Sequence, residues 1–201
     1  MEHKGIYRNY IKRLLDILLS ALALIVLSPI LLVTALLVRV KLGSPVVFRQ
    51  ARPGMDERIF YLYKFRSMTN EVGEDGRLLP DAQRLTKFGR FLRSSSLDEL
   101  LELFNILRGD MSIVGPRPHM LKHTEIYSGL IDKYMVRHFS KPGITGWAQV
   151  TGFRGETEEL WQMEERIKKD IWYIENWSFW LDVKIIGMTA LSIIKPDKKA
   201  Y

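Results

Sequence analysis

The chain contains no cysteine, which excludes disulfides and thiolate metal sites. Histidine is scarce as well. His3, His119, His123 and His138 are the whole set, and none shows tight metal-ligand spacing. His119 and His123 stand at i, i+4, a spacing that can ligate a metal, but no third ligand accompanies them, so all four read as structural or surface residues. A Walker loop, a Rossmann fingerprint and a nucleophile elbow are absent, and so is any internal repeat. Nothing has the form of a nucleic-acid module, although the net charge is +7 over 201 residues. A basic balance suits an anionic membrane surface or phosphorylated substrates equally well.

What is present begins with an apolar run, Leu14 to Val38 (LLDILLSALALIVLSPILLVTALLV). About 20 apolar residues suffice to span a bilayer as a helix. No small-residue cleavage site precedes a polar start, so a secretory signal peptide is not expected. Two features argue against a simple crossing. Ser28-Pro29 falls near the middle, where proline removes a backbone donor and clashes with the preceding turn. Both flanks are basic: Lys4, Arg8, Lys12 and Arg13 before the run, Arg39, Lys41, Arg49 and Arg52 after it. Positive charge favours the cytoplasmic face. The expectation is a re-entrant helix broken at Ser28-Pro29, with a straight span as the alternative. Asp16, just inside the run, is expected to pair with Arg13 or a neighbouring lysine at the interface.

After residue 43 the reading is α+β, mainly helical. Gly43-Ser44-Pro45 ends the membrane element. A strand at 46–48, a turn at 51–54 and a strand Ile59 to Phe65 form a small β element. A polar loop covers 69–81. Helices are expected over Phe88 to Arg93, Leu97 to Leu107, most of His119 to Phe139, Glu156 to Ile174, and Phe179 to Ile194. Residues 112–118 read as a stiff loop and 142–146 as a tight turn. All five tryptophans lie at or beyond residue 147. Residues 171–180 (IWYIENWSFW) read as an interfacial amphipathic segment, with an aromatic core cluster as the alternative.

The chemistry-bearing pattern is Asp98-Glu99 within Ser94-Ser95-Ser96-Leu97-Asp98-Glu99-Leu100. Ser96 and Glu99 fit a capping box, and Asp98 then falls in a first helical turn, where the dipole favours negative charge. That is a structural role. The same carboxylates could instead do chemistry: an aspartate can form an acyl phosphate, and Mg²⁺ is held by one or two carboxylates with substrate phosphates. Arginine clamps phosphate bidentately. Arg93 lies one turn earlier, Arg117 sits between Pro116 and Pro118, and Arg154 follows a glycine-containing turn.

Taken in order, several strings resemble one family. They are Phe48-Arg49-Gln50-Ala51-Arg52-Pro53-Gly54, Tyr63-Lys64-Phe65-Arg66-Ser67-Met68, Leu92-Arg93-Ser94 through Leu100, Phe104 to Ser112, Gly115-Pro116-Arg117-Pro118 and Lys141 to Val150. The chain resembles the bacterial sugar transferases, the monotopic phosphoglycosyl transferases, in their small form. The resemblance implies a re-entrant membrane helix (1–43) with its break at Ser28 and Pro29, and a membrane-associated catalytic domain (44–201) on the cytoplasmic face of the bacterial inner membrane. It implies transfer of a sugar-1-phosphate from a UDP-sugar to undecaprenyl phosphate with release of UMP, the first membrane step of capsule, O-antigen or exopolysaccharide assembly. Asp98 would be the nucleophile that carries the phosphosugar, and Asp98 and Glu99 would hold Mg²⁺. Arg93, Arg117 and Arg154 would contact phosphate. Phe153 is an extra residue in the turn before Arg154. The strings Trp172 to Ser178 and Trp180 to Lys184 lean toward the hexose-1-phosphate enzymes. Anionic lipids are implied as partners, with homodimerisation left open and no nucleic acid. The competing readings are a membrane glycosyltransferase that releases UDP and a non-catalytic membrane-anchored scaffold of polysaccharide assembly.

Overall fold

The computed structural model describes residues 10–155, 157 and 159–194. His3, Lys4, Arg8 and the expected helix start at Glu156 lie outside the described residues. Among the described residues, six helices and two small sheets follow in the order α1 (Lys12–Leu42), β1 (Val47–Pro53), a 3-10 turn (Met55–Glu57), β2 (Ile59–Phe65), α2 (Lys87–Ser94), a 3-10 segment (Leu97–Leu101) running into α3 (Glu102–Arg108), β3 (Ser112–Val114), α4 (Leu121–Ser128), a further 3-10 segment (Tyr134–Phe139), β4 (Gly143–Thr145), α5 (Leu160–Asn176) and α6 (Phe179–Ile194). Single helical turns stand at Asp81–Arg84 and Trp147–Val150. The mainly helical α+β class expected from sequence is the class observed.

The helix α1 is the one described helix long and apolar enough to cross a membrane. It does not break at Ser28-Pro29: the helix continues through Pro29. The physical reason is local. Proline has no N–H to give Ile25 O, and Ser28 Oγ donates to that carbonyl at 2.8 Å instead. The acceptor freed by proline is therefore filled by its neighbour, a substitution that matters where no water is at hand.

One stripe of α1 lies against the rest of the molecule along its full length. Ala23, Leu24 and Leu27 pack on Phe60, Leu62, Leu103, Ile106 and Met111. Leu31, Ala35, Val38 and Leu42 pack with Phe65, Leu92 and Leu101. The opposite side is bare: Ile25, Leu32 and Val40 are each more than two thirds exposed. The polar residues at the start of α1 are structural rather than interfacial, which corrects the expected Asp16–Arg13 or Asp16–lysine pair. Lys12 pairs with Asp182 at 2.6 Å, and Asp16 Oδ1 accepts from Ser112 Oγ and Ile113 N at 3.0 and 2.9 Å. Arg13 donates to Ile106 O and Leu107 O in the last turn of α3. At the other end, Arg66 donates to Leu42 O and Ser44 O.

β1 and β2 form an antiparallel hairpin that pairs Val47 with Phe65 through Pro53 with Ile59, so the strand extends through the residues expected to turn. β3 and β4 pair in parallel, Ser112 with Gly143 and Val114 with Thr145, where a stiff loop and a tight turn were expected. The backbones meet closely here. A Cβ on Gly143 would lie 2.1 Å from Gly115 N, and one on Gly115 would lie 2.4 Å from Lys141 O. Only glycine permits that approach. The segment expected to be mostly helical from His119 to Phe139 is α4 and a 3-10 segment with a break between them. In the C-terminal third, Trp147 stacks on Trp172 at 5.0 Å and Tyr173 on Trp177 at 5.8 Å, while Trp161 and Trp180 are exposed.

Candidate active site

The acidic pair sits on the 3-10 segment where α2, β2 and the Gly115–Pro118 loop converge. The expected capping box does not form. Ser96 adopts a left-handed backbone (φ 57) and its side chain makes no cap hydrogen bond. Its hydroxyl accepts from Arg154 at 2.6 Å instead, and the Glu99 carboxylate is held by cations. A non-glycine residue at positive φ is a strained position of the kind that clusters at functional sites.

Asp98 is buried, and its Oδ1 has no hydrogen-bond partner. Burial, followed by the neighbouring Glu99 charge, pushes its carboxyl up to about 6, against the opposing pull of Lys64, Arg93 and Arg117. The helix-dipole argument anticipated the reverse. The desolvation penalty is larger than anything a single 3-10 turn supplies.

Glu99 behaves oppositely. Burial alone would raise it, but Arg117 and Lys64 outweigh burial and hold its carboxyl well below the usual range. Lys64 Nζ lies 2.6 Å from Glu99 Oε1, and Arg117 pairs with the same oxygen. Glu99 in turn raises Arg117 above the ordinary arginine range. Lys64 is shared with Glu102, at 3.2 Å. Glu102 is fully buried with Oε2 unpartnered, and burial pushes it up to about 7. Three carboxylates thus share a few cations, and their protonation states diverge: Glu99 ionised, Asp98 ionised above about pH 6, Glu102 divided between its protonated and ionised forms near neutrality.

All three arginines singled out from sequence surround the pair. Arg93 Nε bonds Ser67 Oγ at 3.0 Å and acts electrostatically on Asp98. Arg117 contacts Glu99, and Arg154 reaches Ser96. Lys64 and Glu102 escaped the sequence reading. Lys64 had a visible signal: it shares the inward register of β2 with Phe60 and Leu62, where a lysine needs a buried partner.

Among the described residues no group of three or more His, Asp or Glu side chains could cage a metal. The residues fit a hard cation held largely by substrate phosphates, because Asp98 Oδ1 is a buried, unpartnered oxygen beside an acidic neighbour. His119 and His138 are buried, and His123 packs edge-on to His119.

The family described as bacterial sugar transferase matches residues 7–196. A UDP-glucose:undecaprenyl-phosphate glucose-1-phosphate transferase of Klebsiella pneumoniae is 54% identical over 181 residues, which are 89% of this chain and 39% of that protein. A UDP-N-acetylgalactosamine-undecaprenyl-phosphate N-acetylgalactosaminephosphotransferase of Aeromonas hydrophila is 39% identical over 188 residues, 92% of this chain and 44% of that protein. The chain therefore spans well under half the length of these two relatives. It covers 87% of an uncharacterized sugar transferase, EpsL, of Bacillus subtilis (strain 168), at 46% identity over 184 residues.

Proposed function

From the premise that the chain belongs to the bacterial sugar transferase family, we propose that it moves a sugar-1-phosphate from a UDP-sugar to undecaprenyl phosphate through a covalent phosphosugar on Asp98. The observation that carries this reading is the setting of Asp98. It is a buried carboxylate with one unpartnered oxygen, surrounded by Lys64, Arg93 and Arg117. In the first half-reaction a carboxylate oxygen of Asp98 attacks the β-phosphorus. The bond from that phosphorus to the bridging oxygen breaks, and UMP leaves with the electron pair. In the second, a phosphate oxygen of undecaprenyl phosphate attacks the same phosphorus and expels the Asp98 carboxylate, leaving undecaprenyl-diphosphate-sugar. The cations stabilise the phosphoryl charge in both steps. Glu99 stays ionised and fixes Lys64 and Arg117 in place. When bound, Mg²⁺ on Asp98 and Glu99 would offset diphosphate charge.

The lean toward glucose or galactose rests on the C-terminal strings and, for glucose, on the name of the Klebsiella pneumoniae relative. The bare apolar side of α1 and exposed Trp180 support attachment to a membrane, and the basic flanks of the apolar run support the cytoplasmic face of the inner membrane as the side that carries the domain. Both ends of α1 bind the folded domain, which supports a helix that lies along one side of the membrane instead of crossing it.

The test is UMP release from a panel of UDP-sugars with undecaprenyl phosphate and Mg²⁺. The expected result is UMP, lost in Asp98→Asn. Release of UDP would assign the chain to glycosidic-bond formation, and no turnover with any sugar would leave a scaffold.

A further inference from the structure

Arg117, which pairs with Glu99, also lines a second feature, a small half-enclosed recess. Its apolar walls are Pro53, Pro116, Pro118 and Pro142. Proline fixes φ and offers no N–H, so these walls are stiff and supply no donors. The polar lining is Arg137, His138, Ser140 and His119, all buried. Arg137 Nη2 donates to Arg117 O at 2.5 Å and to Asp170 at 2.8 Å. Its Nε and Nη1 have no partner, and neither do Ser140 Oγ, His138 Nδ1 or His119 Nε2.

Five unpartnered polar atoms on one small recess form an unusual grouping, because each buried unpaired donor costs stability. The chemistry of the set is that of a donor site. Guanidinium has no acceptor capacity, a hydroxyl donates freely, and a neutral imidazole donates from one nitrogen. Burial pushes His138 down to about 4, so it is neutral at physiological pH. The surrounding field is positive. Arg52 and Arg166 act electrostatically on His119; among the described residues their hydrogen bonds run to Pro118 O, Gln50 and Gly155 O, and carboxylates act on them through charge, Asp170 on Arg166 and Glu102 and Glu99 on Arg52.

We propose that this recess is an oxyanion subsite, in which Arg137, His138 and Ser140 receive a phosphate oxygen of a substrate engaged at the acidic pair. The proposal rests on the phosphoglycosyl transferase reading and extends it to residues outside the family strings that carry the acidic pair. Two substrates supply the same chemistry: the nucleotide-side phosphate of the donor, which departs with UMP, and the phosphate of the lipid acceptor.

Ser140→Ala is the cleanest probe, because its hydroxyl bonds nothing in the protein and its removal should leave the melting temperature unchanged or raised. His138→Phe keeps the ring packed edge-on to Tyr134, 6.2 Å away, and removes the nitrogens. Each variant is assayed as the purified full chain for UMP inhibition against UDP-sugar, for KM toward undecaprenyl phosphate, and for thermal stabilisation by inorganic phosphate relative to chloride at equal ionic strength. One lost hydrogen bond to a charged oxygen should weaken binding by about tenfold. Weaker UMP inhibition assigns the recess to the donor, and a raised acceptor KM assigns it to the lipid phosphate. A smaller phosphate-induced stabilisation in both variants accompanies either result. Wild-type UMP inhibition, acceptor KM and phosphate response in both variants would overturn the proposal and leave a recess filled by solvent. Absence of turnover in the wild type would instead defeat the transferase reading, and the phosphate response would still decide the recess.

Discussion

Asp98 and Glu99 are neighbours in sequence with opposite electrostatic fates, and the difference lies in which cations touch them. Lys64 and Arg117 bond Glu99 directly, whereas they act on Asp98 only at a distance. Asp98 must be ionised to attack, so kcat/KM should rise with pH through about 6 and fall below it; a pH–rate profile flat from pH 5 to 8 would remove Asp98 from the nucleophile's role. Glu99→Gln should leave Lys64 and Arg117 short of a counter-charge, costing about 3 kcal/mol of stability as well as activity, measurable by denaturant unfolding. Glu102 makes a different prediction. Its folded value is raised, so the folded state holds the proton longer than the unfolded chain, and wild-type stability declines as pH rises from about 4.5 to about 7. Glu102→Gln does not titrate and keeps a hydrogen-bonding oxygen for Lys64, so its stability relative to wild type should increase across that window in pH-resolved melts. At this scale the sequence revealed the acidic pair and its three arginines through ordered motifs. Glu102 was hidden because a glutamate in the middle of a helix reads as surface charge, and only the fold shows it buried beneath Lys64.

Individual elements were legible where they were long. α6 and β2 have the bounds expected from their patterns, Phe179–Ile194 and Ile59–Phe65, and α5 was placed within a few residues. β3 and β4 have three residues each, too few for periodicity to register, and their pairing joins residues about thirty positions apart. Gly115 and Gly143 were visible as turn signals, but their actual role is close backbone contact. Gly143→Ala should therefore force β4 away from Gly115, displace the Pro116–Arg117–Pro118 loop and lower activity more than a surface glycine replacement such as Gly129→Ala, whose added Cβ meets open space. In α1, Ser28 and Pro29 form a compensating pair rather than a break. Ser28→Ala should destabilise the detergent-solubilised protein by about 1 kcal/mol by leaving Ile25 O unpartnered. Adding Pro29→Ala restores the backbone N–H, so the double variant should recover that loss, and a purely additive double-mutant cycle would contradict the pairing.

The whole molecule is tied together through α1, whose two ends hold the domain by Lys12–Asp182, Asp16–Ser112 and Arg66–Leu42. A straight helix of 31 residues is roughly 46 Å long, longer than the ~30 Å hydrocarbon layer, so a full crossing would carry one anchored end away from the domain it binds. Tyr10→Cys and Ser44→Cys, introduced singly into the thiol-free chain, should both be labelled from the cytoplasmic side; labelling from opposite sides would rule out this arrangement. The ordered motifs run through most of the chain, which is why family and architecture could be read together, whereas the route by which Asp16 docks β3 could not. The central claim is that the phosphosugar passes through Asp98. Its most direct test is intact-mass and peptide mass spectrometry of the full chain given UDP-sugar and Mg²⁺ without acceptor. One hexose phosphate on the Asp98 peptide, one equivalent of UMP, and discharge on adding undecaprenyl phosphate are predicted. UMP release in the complete reaction without any adduct in the rapidly quenched half-reaction would contradict it.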